Sequence, residues 1–259
     1  MPALNLTART DSPIQRPTAA PSLSPALAIP TVPAPAVGEC HLWMTLVRNR
    51  PAWLCLLDAA ERDRLERLSV DEARNVFANS RGAQRVIGSR YLGVPPEDVV
   101  INRDCEHCEG NHGRPRFAHA PIDYSVSHTG CWVLTAVVGT GRVGVDIESF
   151  DSCPEPEQVA PVVLTGSEQD HFAALRPDER EAWFFKAWTR KEAAMKLTGL
   201  GLTAAPNQLD VLGPVLVVAD VERWPAAPVH LHSIKAPSGY AAALATTVPV
   251  SATRVFPLP

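Results

Sequence analysis

The chain has 259 residues, 46% of them hydrophobic and 20% charged, enough for one large domain or two moderate ones with a real core. A formal net charge of −4 argues against bulk nucleic-acid binding, and no apolar run reaches the length of a membrane span. The six cysteines are scattered with no secretory signal ahead of them, which reads as reduced thiols in a cytoplasm.

Residues 1–37 hold eight prolines among Ala, Ser and Thr, a composition that buries too little surface to offset chain entropy. This stretch reads as a disordered extension outside the fold. His41–Val47 suggests a first strand. Asp58 to Leu68 reads as a charged amphipathic helix, with Asp58 and Glu61 spaced as a capping box. Asp71 to Leu92 is a longer helix that Gly93, Pro95 and Pro96 end. Arg74, Arg81 and Arg85 share one stripe of it, either a solvated basic face or an anion-binding stripe. Cys131–Val138 reads as a buried strand, the Gly-Thr-Gly-Arg sequence after it as a turn, and Val143–Ser149 as a second strand. Ser167 caps a helix reaching about Leu175, and Pro177 and Asp178 open the next. Pro214–Asp220 and Tyr240–Thr247 read as late strands. Helices and strands interleave without strict alternation, so the fold class is α+β.

Two stretches carry chemistry. In Gly144–Glu148, Asp146 and Glu148 share one face of a strand, and two adjacent anions call for a proton or a cation between them. Mg²⁺ is a hard cation that takes such oxygen donors. The second stretch, Trp188–Gly199, is helical and apolar on almost every side, which marks it as buried. It nevertheless holds Lys191, Glu192 and Lys196. Those charges either pair with one another or form a shared site, with Glu192 joining the metal and the lysines holding phosphates.

Gly144–Glu148 followed by Trp188–Lys196 resembles the paired signature of the phosphopantetheinyl transferases, in the larger surfactin-synthetase-activating (Sfp-type) class. Tyr124–Gly130 resembles the family's Ser-His motif. His112–Phe117 resembles its Gly-Lys-Pro motif, with Arg114 in the lysine position. The resemblance implies two similar α/β halves, here residues 38–142 and 143–259, in a pseudo-twofold arrangement with the active site in the cleft between them. It implies transfer of the 4′-phosphopantetheine arm of coenzyme A to a serine of acyl or peptidyl carrier proteins of fatty-acid, polyketide or peptide synthases. A cytoplasmic monomer acting on neither nucleic acid nor membrane is expected. By the same resemblance Asp146, Glu148 and Glu192 hold Mg²⁺, and Asp146 and Glu192 are catalytic. Arg81, Arg114, Ser127, His128, Lys191 and Lys196 contact coenzyme A, with Ser127 and His128 on a loop. A non-catalytic carrier-binding protein on the same fold is the rival reading. Leu197–Thr203 is the expected carrier-docking segment.

Cys105, Cys108 and His112 stand at spacings a zinc ion uses. A structural site takes four ligands, and His107 or Cys131 would have to complete it. Reduced thiols in a loop are the expectation.

Overall fold

A computed structural model describes residues 31–118, 120–153 and 155–258. Residues 1–30, most of the expected extension, lie outside the described residues. Within the described residues the chain is already held before Gly38: Val32 N–H donates to Arg90 O at 2.8 Å, and Pro35 is buried.

The first half runs β1 (Glu39–Leu46), α1 (Pro51–Leu54), α2 (Ala59–Glu66), α3 (Asp71–Leu92), a 3-10 turn at Pro96–Asp98, and the small pair β2 (Ile101–Asn102) and β3 (Arg116–Phe117). The hairpin of β4 (Asp123–Thr129) and β5 (Trp132–Val138) completes it. The same order then recurs as β6 (Val143–Ser149), α4 (Pro156–Val163), α5 (Gly166–Ala174), α6 (Pro177–Thr198), a 3-10 turn at Pro206–Gln208, and β7 (Leu209–Asp210) with β8 (Val217–Val218). The antiparallel pair β9 (His230–Ile234) and β10 (Tyr240–Thr246) closes the second half, and β11 (Ala252–Pro257) ends the fold.

The strand orders are β11-β1-β5-β4 and β6-β10-β9, so the first strand of each half lies beside that half's last. The fold is α+β with two similar halves. The layers run helix, sheet, sheet, helix. Leu42, Leu134 and Ala136 of one sheet meet Val143, Val145, Ile147 and Leu244 of the other in the central core. Ala83 and Ile87 of α3 cover the outer face of the first sheet, and Phe184, Ala194 and Leu197 of α6 cover that of the second. Alternation does this work: residues two apart on a strand share a face.

Both long helices end at a left-handed glycine, Gly93 at φ 68° and Gly199 at φ 76°, a conformation that side chains with a Cβ resist. The capping box at Asp58 and Glu61 is present. Three expectations change. Thr165, not Ser167, caps α5, because Thr165 and Glu168 form the reciprocal box. The turn at 139–142 carries the chain from the first sheet to the second, since β5 and β6 belong to different sheets. Ser127 and His128 lie on strand β4 rather than a loop. The strand expected over Pro214–Asp220 shrinks to β8.

Candidate active site

The site is built where β6 meets α6. A Cβ at Gly144 would stand 1.9 Å from Ala193 O and 2.6 Å from Leu197 N. Only glycine lets the helix backbone rest on the strand this closely. Val143, Val145 and Ile147 turn into the central core, which leaves Gly144, Asp146 and Glu148 on the face toward α6. Glu192 and Lys196, four apart on the helix, share a face across from them.

Asp146 is 1% exposed. Its Oδ1 accepts from Lys196 Nζ at 2.6 Å and from Ser127 Oγ at 2.7 Å. Lys196 also donates to Ser127 Oγ at 2.7 Å. Asp146 Oδ2 is buried and has no hydrogen-bond partner among the described residues. Glu148 is half-buried and accepts from Thr129 Oγ1 at 3.2 Å. Burial first, and the charge of Asp146 second, raise the Glu148 pKa. Burial, then Asp146, push Glu192 up to about 7, with Lys196 opposing. Three carboxylates thus face a single ammonium, and one buried oxygen has nothing to bind. These oxygen donors suit a hard divalent cation in kind, but among the described residues the three carboxylates do not bring their oxygens within 4.8 Å of one another.

β4 supplies the adjoining wall. Its alternate hydroxyls all turn toward β6: Ser125 Oγ accepts from Val145 N at 3.1 Å, Ser127 reaches Asp146, and Thr129 reaches Glu148. His128 is open to solvent on one side. The protein around it, then the charges of Lys196 and Arg81, lower its pKa. Arg81 of α3 lies over the Phe77 ring at 5.2 Å and pairs with Glu61 at 3.6 Å. Burial and neighbouring Arg103 bring its pKa down to about 10.

Arg74 and Arg85, the other two arginines of the stripe, are engaged within the first half. Arg85 binds Glu61 at 2.8 Å and Asp58 at 3.2 Å, and Arg103 joins them at 3.3 Å from Glu61. Arg74 instead donates to the carbonyls of Leu65 and Leu68.

Two expected coenzyme A contacts are placed otherwise. Lys191 is 0% exposed; its ammonium binds Glu168 at 2.6 Å and donates to the carbonyls of Pro206 and Leu209. It ties α6 to α5 inside the second half and cannot reach the cleft. The Arg114 guanidinium donates to Asp123 at 2.7 Å, Val143 O at 2.8 Å and Lys196 O at 3.0 Å. It straps the two halves together and lines a cavity of about 210 Å³ with Ser125, Val126, Met195 and Lys196. The sequence reading missed Thr129 and Arg103. The Ser-x-Ser-x-Thr alternation over 125–129 was the signal for the first; nothing local marks the second.

The sequence pattern of the 4′-phosphopantetheinyl transferase superfamily matches residues 142–245. The 4′-phosphopantetheinyl transferase HetI of Nostoc sp. is 30% identical over 172 residues, covering 63% of this chain and 70% of that one. This chain belongs to the 4′-phosphopantetheinyl transferase superfamily. The transferase AcpT of Salmonella typhimurium is 35% identical over 118 residues, 45% of this chain and 57% of its own length. Among solved structures, the holo-acyl-carrier-protein synthase of Thermotoga maritima aligns with 25% identity over 40% of this chain and 61% of that one, at a TM-score of 0.34. In this phosphopantetheinyl transferase the matched span takes in the carboxylates of β6 and the charges of α6, while Arg81, Ser127 and His128 precede it.

Proposed function

We propose that this chain transfers the 4′-phosphopantetheine arm of coenzyme A to a serine hydroxyl of a carrier protein. The serine oxygen–phosphorus bond forms, the pyrophosphate phosphorus–oxygen bond breaks, and adenosine 3′,5′-bisphosphate leaves. Carrier domains of fatty-acid, polyketide or peptide synthases are the substrates. The observation that carries the reading is the carboxylate cluster with Lys196 and the unpartnered Asp146 Oδ2, at the junction of the two halves.

Asp146, Glu148 and Glu192 would hold Mg²⁺, which when bound supplies positive charge against the diphosphate oxygens and the leaving group. The chain's own groups do the rest. Lys196 is 32% exposed, so its ammonium can turn from Asp146 to a phosphate. Ser127, His128 and Arg81 form the wall on which further phosphates rest. Glu192 takes the serine proton; before any cation binds, burial and the charge of Asp146 raise its pKa. Arg114 positions the wall through its bonds to both halves. Leu202, 72% exposed after α6, offers an apolar contact for the carrier. One chain supplies both sides of the cleft, which suits a monomer.

The test mixes purified protein, coenzyme A, Mg²⁺ and several apo-carriers and reads intact mass. One added phosphopantetheine per carrier, with release of the bisphosphate, is expected. Carriers that bind but never gain mass would overturn the reading and leave a carrier-binding protein in its place.

A further inference from the structure

The segment 103–113, between β2 and β3, reads Arg-Asp-Cys-Glu-His-Cys-Glu-Gly-Asn-His-Gly. It holds no aliphatic or aromatic hydrocarbon side chain that could anchor it by burial, yet it closes into a defined turn. Cys105 N–H donates to Gly110 O at 2.9 Å, and Gly113 N–H donates to Arg103 O at 2.7 Å. The turn is tight: a Cβ at Gly113 would stand 2.4 Å from Asp104 O, and one at Gly110 2.6 Å from the His112 ring. It brings one ligand atom each of Cys105, Cys108 and His112 within 4.8 Å of one another, and among the described residues no other set of three His, Cys, Asp or Glu does so. The three active-site carboxylates are spread more widely.

We propose that Cys105, Cys108 and His112 bind a zinc ion that holds this loop. Cys108 Sγ lies 3.1 Å from His112 Nε2. Ligands at about 2.3 Å (sulfur) and about 2.0 Å (nitrogen) in a tetrahedron are about 3.5–3.8 Å apart, so a small opening admits the ion. Each sulfur already accepts a backbone N–H from two residues on, His107 to Cys105 at 3.4 Å and Gly110 to Cys108 at 3.3 Å. Those backbone N–H groups remain free to serve as second partners of metal-bound sulfur, and binding releases the two thiol protons. Two thiolates and an imidazole select zinc over magnesium.

The expected fourth ligands do not join. The His107 ring faces Thr198 O at 3.4 Å, and Cys131 Sγ lies against the Tyr240 hydroxyl at 3.7 Å. Cys108 and His112 are exposed, so the fourth position opens to water. With three protein ligands and a water the site is not a closed structural one, and the ion's part is to tie the two ends of the loop together. The loop runs directly into Arg114, whose bonds to Lys196 O and Val143 O set the cleft wall.

The proposal stands apart from the transfer reaction, and its test reads metal. Full-length protein isolated under reducing conditions is assayed for zinc by mass spectrometry, then stripped with chelator and titrated with Co²⁺. One zinc per chain and a thiolate-to-cobalt charge-transfer band are expected. Both should vanish in the Cys105→Ser/Cys108→Ser variant, fall in His112→Ala, and persist in Cys131→Ser. The proposal is overturned if the reduced wild type retains no zinc and binds no Co²⁺. Unchanged metal content in the double variant, or a Cys105–Cys108 disulfide in the freshly isolated chain, overturns it equally.

Discussion

The two long helices show how one plan serves two ends. α3 and α6 each have 22 residues and stop at a left-handed glycine. Eight positions before Gly93 stands Arg85, and eight before Gly199 stands Lys191. Each is buried, and each pairs with the third residue of a capped short helix: Arg85 with Glu61 at 2.8 Å, Lys191 with Glu168 at 2.6 Å. The halves therefore share an internal ion pair as well as a topology. They part at the strand beneath. Aligning β5 with β10 from their first residues puts His41, Trp43 and Thr45 where the second half has Gly144, Asp146 and Glu148. In the first half His41 Nδ1 and Trp43 Nε1 meet Tyr91 of α3, at 2.8 and 2.9 Å, and these rings hold helix and strand apart. In the second, glycine lets α6 settle on the strand, and Glu192 and Lys196 arrive where α3 has Val86 and Arg90. A shared scaffold carries the pair that holds each half together; the proposed site lies where the second half has no aromatic spacers.

Substitutions can break this contrast, beginning with the carboxylates. Asp146→Ala and Glu192→Ala should each lower carrier modification by about 1,000-fold or more, roughly 4 kcal/mol of barrier, with circular dichroism unchanged. Near-wild-type rates in both would remove the second half's claim to the site. Lys191→Met should leave Glu168 charged and unpaired, costing about 3–5 kcal/mol in chemical denaturation while the folded fraction keeps its Michaelis constant for coenzyme A. Arg85→Met should cost less, about 1–2 kcal/mol, because Glu61 keeps Arg81 and Arg103. Equal losses would mean that the two pairs are not held as differently as their partners suggest. Lys196→Ala should raise the Michaelis constant for coenzyme A about tenfold, or about 1.4 kcal/mol. Smallest is a pH effect. Glu192 binds its proton more tightly folded than unfolded, so stability falls as pH rises from the ordinary carboxyl value of 4.5 to about 7. Glu192→Gln should flatten that decline, gaining about 1 kcal/mol at pH 8 in thermal unfolding without metal.

Much of this was legible where local chemistry decides. The Asp58–Glu61 capping box, both glycine stops and the shared face of Asp146 and Glu148 follow from spacing alone. The destinations of the two lysines did not. At about 100° per residue Lys191 and Lys196 diverge by roughly 140°, while Glu192 and Lys196 lie roughly 40° apart. The wheel separated the lysines, but the family resemblance joined them. What Lys191 meets depends on Glu168, which is close only after folding. Likewise Ser127 and His128 read as a loop because Thr129 and Gly130 follow them. The strand character of β4 comes from pairing with β5 and from hydroxyls that bond across to β6.

β11 returns to lie parallel to β1, with Glu39 facing Ala252, and Phe256 stacks on Trp43 at 4.7 Å. Gly38 O accepts a hydrogen bond from Ser251 N at 2.8 Å, 213 residues further along. While the ribosome is still extending the chain, β1 shows a bare edge, and the first sheet stays unfinished until β11 emerges 213 residues later. Removing β11 would therefore injure a strand made long before it.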